Sequence, residues 1–144
     1  MFEESAATID EWINLARQNC AAAAVLLNAK QTVSAWNHAG FSVECAMKAA
    51  IMRQEKFNRW PSKDLRPDLY SHDLTSLLEK AGLKRRLLIK EPVAHRLATV
   101  LQWGRNHSYY PKAMPLRVAR DMYEAACGSD GVNSWLMKRF RLGT

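Results

Sequence analysis

No apolar run in this sequence approaches the roughly 20 residues that a membrane-crossing helix needs. The longest, Cys20 to Leu27, lies inside an amphipathic pattern. Cysteine is scarce: Cys20, Cys45 and Cys127 cannot all pair, and none belongs to a CxxC. Each falls within an apolar helical pattern, so all three are expected to be small buried residues. The histidines His38, His72, His95 and His107 have no second His, Cys or carboxylate at a zinc-motif spacing. Neither a metal nor a cofactor is expected. The GxxxxGK[ST], GxGxxG and Gly-x-Ser-x-Gly patterns are all missing. That removes P-loop, dinucleotide-binding and nucleophile-elbow chemistry. Without sustained period-two alternation no sheet is expected. Without repeats, low-complexity tracts or a linker, residues 1–144 read as one domain. Met1-Phe-Glu-Glu carries acids where a secretory signal carries bases, so a cytoplasmic protein without a membrane partner is expected.

What is present is cationic and helical. Lys and Arg number 21 against 14 Asp and Glu, a net charge of +7. Such a balance favours polyanions such as RNA, or an acidic protein. Thr8-Ile-Asp-Glu11 has the form of a capping box, and apolar residues from Trp12 to Leu27 recur at helical spacing, predicting a helix over Ile9–Lys30. A second runs over Val33–Gln54, with Trp36, Ala39, Val43, Met47, Ala50 and Ile51 inward. Gly40 weakens it and predicts a close helix crossing there. The short link makes the two antiparallel neighbours. Residues 55–70, with Pro61 and Pro67, read as an ordered loop. A short helix starts at Ser71-His-Asp-Leu74 and stops at Gly82, and Lys84-Arg-Arg86 lie in the next connection. Pro92 opens a further helix. Leu116 to Ala126 form another, closed by Gly128, and Val132 to Phe140 a short last one. The architecture expected is an all-α, up-and-down bundle of four to five main helices with a short C-terminal helix.

Three spots carry functional groups. Glu44 and Lys48 stand one turn apart on the second helix, in the order that favours an ion pair. They are either a solvated surface pair or a site in which Glu44 orients a base or an arginine. Ser71-His72-Asp73 offers polar side chains for the free N–H groups of a helix start. Trp103-Gly-Arg-Asn-His-Ser-Tyr-Tyr-Pro111 gathers a guanidinium, an amide, an imidazole and two phenols between two helices. Arg105 can grip a phosphate in bidentate fashion, His107 can move a proton near neutrality, and Tyr109 and Tyr110 can stack on bases or donate. The bland alternative for this stretch is a helix-terminal turn whose tyrosines pack on the scaffold.

In this order the three spots resemble the HEPN family of small helical domains. Ala35 to Ala49 looks like the family's helix ending in Glu-x-x-x-Lys-Ala. Ser71-His-Asp-Leu-Thr-Ser-Leu77 looks like its His-Asp-Leu-x-x-Leu helix start. Arg105 to Pro111 sits where the family has its Arg-x(4–6)-His motif or an Arg-Tyr-Pro variant. The resemblance spans Trp12 to Ala126. It implies a homodimeric helical bundle and, as in many members, a metal-independent ribonuclease of a prokaryotic toxin–antitoxin or defence system. An antitoxin or nucleotidyltransferase-like protein would be its partner. Arg105 would stabilise charge on the scissile phosphate, and Asn106 matches the polar residue that often follows it. Tyr110 stands where the motif carries its histidine, and His107 lies too close to Arg105 for the motif. Arg105, His107 and Tyr110 are therefore the candidate catalytic residues, with Asn106, Tyr109, Glu44 and Lys48 as candidate substrate-binding residues. Two other readings are a non-catalytic dimerisation and binding module, and a nucleotide-binding helical domain with its cleft between Glu44, Lys48 and Arg105.

Overall fold

The computed structural model describes residues 5–104 and 114–143, with backbone alone at positions 85 and 87. Among these residues all regular structure is helical: α1 Ile9–Asn28, α2 Thr32–Glu55, α3 Leu74–Lys80, α4 Ala94–Val100, α5 Leu116–Cys127 and α6 Val132–Phe140. Two 3₁₀ segments, Pro67–Leu69 and Arg85–Lys90, lie between them. No helix is long and apolar enough to cross a membrane among the described residues.

The capping box at the start of α1 forms in full. The Thr8 hydroxyl accepts from Glu11 N at 3.2 Å, and the Glu11 carboxylate accepts from Thr8 N and Ala7 N at 3.0 Å each. After Asn28 the chain reverses through Lys30, in the left-handed region at φ 60. Asn19 then meets His38 and Trp12 meets Lys48. The partner number falls as the other rises, so α1 and α2 are antiparallel. Ser42 meets Asn133 and Arg53 meets Phe140, so α6 runs parallel to α2.

α2 is the axis of the bundle and touches α1, α3, α5 and α6. Helices in contact on all sides must be apolar on all sides. Accordingly every residue from Ser42 to Met52 is buried. The close approach expected at Gly40 exists, but the neighbour is a side chain. The Trp103 indole lies against Gly40, and any Cβ there would run into the ring.

The shorter elements are held by local bonds. Asp73 caps α3 by accepting from Thr75 N at 3.1 Å. Gly82, at φ +81, follows the C-cap Ala81 and turns the chain away. Arg53 donates to the carbonyls of Phe140 and Arg141 at 3.2 and 3.1 Å, placing a cation at the C-terminal end of α6. The connection that carries Lys84 to Arg86 is more ordered than expected, since Arg85–Lys90 winds into a 3₁₀ segment. Pro92 precedes α4 rather than opening it, because α4 begins at Ala94.

The cysteines depart from expectation. Cys20 of α1 and Cys127 of α5, half-buried rather than buried, form a disulfide with Cα atoms 5.7 Å apart. Cys45 alone is a free buried thiol. Its surroundings push its pKa up to about 12, chiefly through burial and then the Glu44 charge. Such a thiol is inert as a nucleophile.

Candidate functional site

The chemistry in the described structure gathers at the middle of α2. The Glu44 carboxylate is 1% exposed and Lys48, one turn on, is 6% exposed. This excludes a solvated surface pair. Glu44 Oε2 accepts from Lys48 Nζ at 3.1 Å, and Oε1 lies 2.9 Å from His72 Nδ1. A carboxylate accepts only, so Nδ1 carries the proton and a neutral His72 keeps its lone pair on Nε2. The His72 side chain is 51% exposed. Among the described residues it makes no hydrogen bond besides the one to Glu44. The sequence offered His72 or Asp73 as the helix cap. Asp73 takes that role, and His72 turns to α2 instead.

A buried lysine needs more than one partner, because desolvating an ammonium costs several kcal/mol. Lys48 Nζ also stands over the rings of Trp12 and Trp60, 5.1 and 5.7 Å from their centroids. Cation–π contacts of this desolvated kind contribute about 2 kcal/mol. The rings in turn form a chain. Trp12 and Trp60 meet edge to face at 5.4 Å, and Trp60 and Tyr70 meet at a 51° tilt and 6.3 Å. Trp60 N donates to Ala7 O and Tyr70 Oη donates to Pro61 O at 2.7 Å, which anchors the loop ahead of α3. Tyr70 is 41% exposed and two residues from His72. Glu44, Lys48, Trp60, Tyr70 and His72 therefore form one continuous constellation, buried at the carboxylate and open at the phenol and imidazole.

A cavity of about 680 Å³ adjoins this constellation, lined by Thr8, Glu11, Arg59, Trp60 and Tyr70 among others. Its charge is mixed. The Glu11 carboxyl is held below its ordinary range by the backbone N–H groups of Ala7 and Thr8, then by the Thr8 hydroxyl and the Arg59 charge. This mouth is thus no purely cationic funnel, and the open edge of the constellation lies at Tyr70 and His72.

Arg105, Asn106, His107, Tyr109 and Tyr110 lie outside the described residues. Of the stretch that begins at Trp103, the described part has the Trp103 indole seated on Gly40. Gly40 is one helical turn before Glu44, and residues four apart share a helix face.

A second polar cluster is structural. Asn133 Nδ2 donates to Ser42 Oγ at 2.9 Å and reaches Cys20 Sγ at 3.4 Å, while Ser42 Oγ donates to Ala39 O at 2.6 Å. These groups wrap the disulfide where α1, α2, α5 and α6 converge. Among the described residues no group of three His, Cys, Asp or Glu is placed to hold a metal. No family model matches the chain, and no curated protein or solved structure matches it.

Proposed function

We propose that the chain is an RNA-directed protein of the HEPN type, from a prokaryotic toxin–antitoxin or defence system, and acts as a metal-independent endoribonuclease. The observation that carries this reading is the buried Glu44 carboxylate, which holds Lys48 on one oxygen and the half-exposed His72 imidazole on the other. Packing alone does not require such a set. An apolar trio of similar volume is often as stable or more so. The net charge of +7 and the Trp60–Tyr70 rings supply what RNA binding needs, cations for phosphates and faces for bases.

In this reading the protein works as a homodimer, and an antitoxin or nucleotidyltransferase-like partner covers the cleft. The Arg105 guanidinium takes the scissile phosphate and stabilises the charge that builds on it. Asn106 and Tyr109 hold the flanking backbone and base. The adjacent 2′-hydroxyl attacks, leaving a 2′,3′-cyclic phosphate and a 5′-hydroxyl.

The test is cleavage of labelled RNA by the purified protein in EDTA, with the product ends identified. The wild type is expected to cut, and Arg105→Ala to lower the rate by ~10²–10³-fold, the usual effect of removing one donor to a developing oxyanion. RNA left intact in EDTA ends the nuclease reading. Tyr110, standing where a histidine is expected, favours a second reading, a non-catalytic dimerisation and binding module. It is distinguished by RNA retention in a mobility shift that weakens steadily with salt while the RNA stays whole.

A further inference from the structure

We propose that His72, oriented by Glu44, is the general base that deprotonates the attacking 2′-hydroxyl, the role for which the sequence holds no histidine at position 110. The inference rests on the RNA-cleaving reading and adds to it a residue from a different element.

Four observations carry it. A tyrosine phenol, with a reference pKa near 10, is a poor base at neutral pH, and His107 stands too close to Arg105 for the motif, which leaves the base to be sought among the other histidines. The described histidines differ in what holds them. His38 Nδ1 meets an amide oxygen of Asn19 at 2.7 Å, and no hydrogen bond or ion pair is formed by the His95 side chain among the described residues. His72 alone among them has a carboxylate on Nδ1. That carboxylate cannot swing away, because Lys48 holds its other oxygen and α2 is buried around it. A carboxylate so placed selects the tautomer with Nε2 as acceptor and stabilises the imidazolium that forms when the proton arrives. Lastly, Tyr70, exposed and paired with Trp60, precedes His72 by two residues, so a base stacked on it would bring its ribose to the same end of the loop.

The step balances without any added reactant except water. Nε2 takes the proton of the 2′-hydroxyl as its oxygen bonds to phosphorus. The P–O5′ bond breaks, and O5′ takes a proton from a water molecule. The imidazolium then returns its proton to the hydroxide left behind. Lys48 stays with Glu44 throughout and is a positioning residue, as is Glu44.

The experiment compares wild type, His72→Ala, His72→Gln, Glu44→Gln and Arg105→Ala on one RNA in EDTA, with and without added imidazole, and records a thermal melt of each variant. A control RNA carries a 2′-deoxy nucleotide at the cleavage position. General-base removal is expected to slow His72→Ala and His72→Gln by ~10²–10⁴-fold, with KM for RNA unchanged. Added imidazole is expected to restore cleavage to His72→Ala but not to Arg105→Ala. Glu44→Gln is expected to fall between wild type and His72→Ala. Cleavage by the wild type with both His72 variants at full rate overturns the inference and leaves the RNA reading standing. A slow His72→Ala that imidazole does not restore, with a lowered melt, also overturns it and makes His72 a brace between α2 and α3. A wild type that cuts no RNA removes both readings together, and that result is recognised before any variant is made.

Discussion

Glu44 is the residue on which the constellation turns, because both of its oxygens are engaged by nitrogens of other side chains in a place closed to water. Replacing it by alanine leaves Lys48 buried with only the two indole faces, and an unpaired buried charge is among the costliest defects a core can hold. Glu44→Ala is expected to lose about 3–5 kcal/mol of stability. This is read as a lower urea midpoint at unchanged m-value, while a double change of Glu44 and Lys48 to Leu and Met recovers most of it. A Glu44→Ala protein as stable as wild type would mean that the lysine turns out to solvent. The spacing of this pair was legible in the sequence, but its burial was harder to see, since an i, i+4 pair looks the same in water and in a core. The signal was present all the same. From Val43 to Met52, Glu44 and Lys48 are the sole charges in nearly three turns of helix, and no solvated face is so poorly supplied. The link to His72 had no such signal. It joins positions 28 apart across a proline-containing loop, and only folding brings them together.

At the scale of elements, the helices that could be read were those with strong periodicity and explicit ends. The Thr8–Glu11 box, the paired long helices and the Gly82 stop all formed. The two 3₁₀ segments could not be read, because their few residues have no periodicity to show and their form depends on what they pack against. The capping box makes a prediction that separates its two halves. Thr8→Ala removes one bond to a helix N–H and is expected to cost about 1 kcal/mol at all pH values where the chain folds. Glu11 behaves differently because its carboxyl titrates. Its folded-state pKa is lowered from the ordinary value of 4.5, first by the backbone N–H groups of Ala7 and Thr8. A lowered folded pKa means stability that is present above the unfolded value and is lost as pH falls through the folded one. Glu11→Ala is therefore expected to be less stable than wild type at neutral pH, with the gap closing as pH drops below about 4.5. Urea midpoints of the two proteins across the acid range test this, and a gap that stays constant would show that the carboxylate's charge plays no part.

For the whole molecule, the unexpected feature is the bond between Cys20 and Cys127, which closes a loop across 107 positions. Three cysteines allow three pairings, and nothing in their spacing chooses among them. The choice is made by α1 and α5 meeting beside α2, where Ser42 and Asn133 also converge on the two sulfurs. A crosslink of this span removes much of the freedom of the unfolded chain. For a loop of about 100 residues the chain-entropy account gives roughly 4.7 kcal/mol, within a usual range of about 0–5. Reduction, or Cys20→Ser with Cys127→Ser, is expected to lower the urea midpoint by a corresponding amount while leaving the helical circular dichroism intact, since α2 and its apolar neighbours do not depend on the bond. Disulfides persist where thiols are oxidised and open where they are not, so the oxidised and reduced midpoints bracket the stability the chain has in either setting. The same pair of measurements bears on the catalytic proposal. Glu44, Lys48 and His72 are built from α2 and the start of α3, whereas the crosslink joins α1 to α5 and meets α2 at Ser42, not at any of these three side chains. RNA cleavage at a temperature where both forms are folded is therefore expected to proceed at the same rate with and without reductant. A rate that fell on reduction would place part of the reacting machinery on α1 or α5 rather than on the α2–α3 edge.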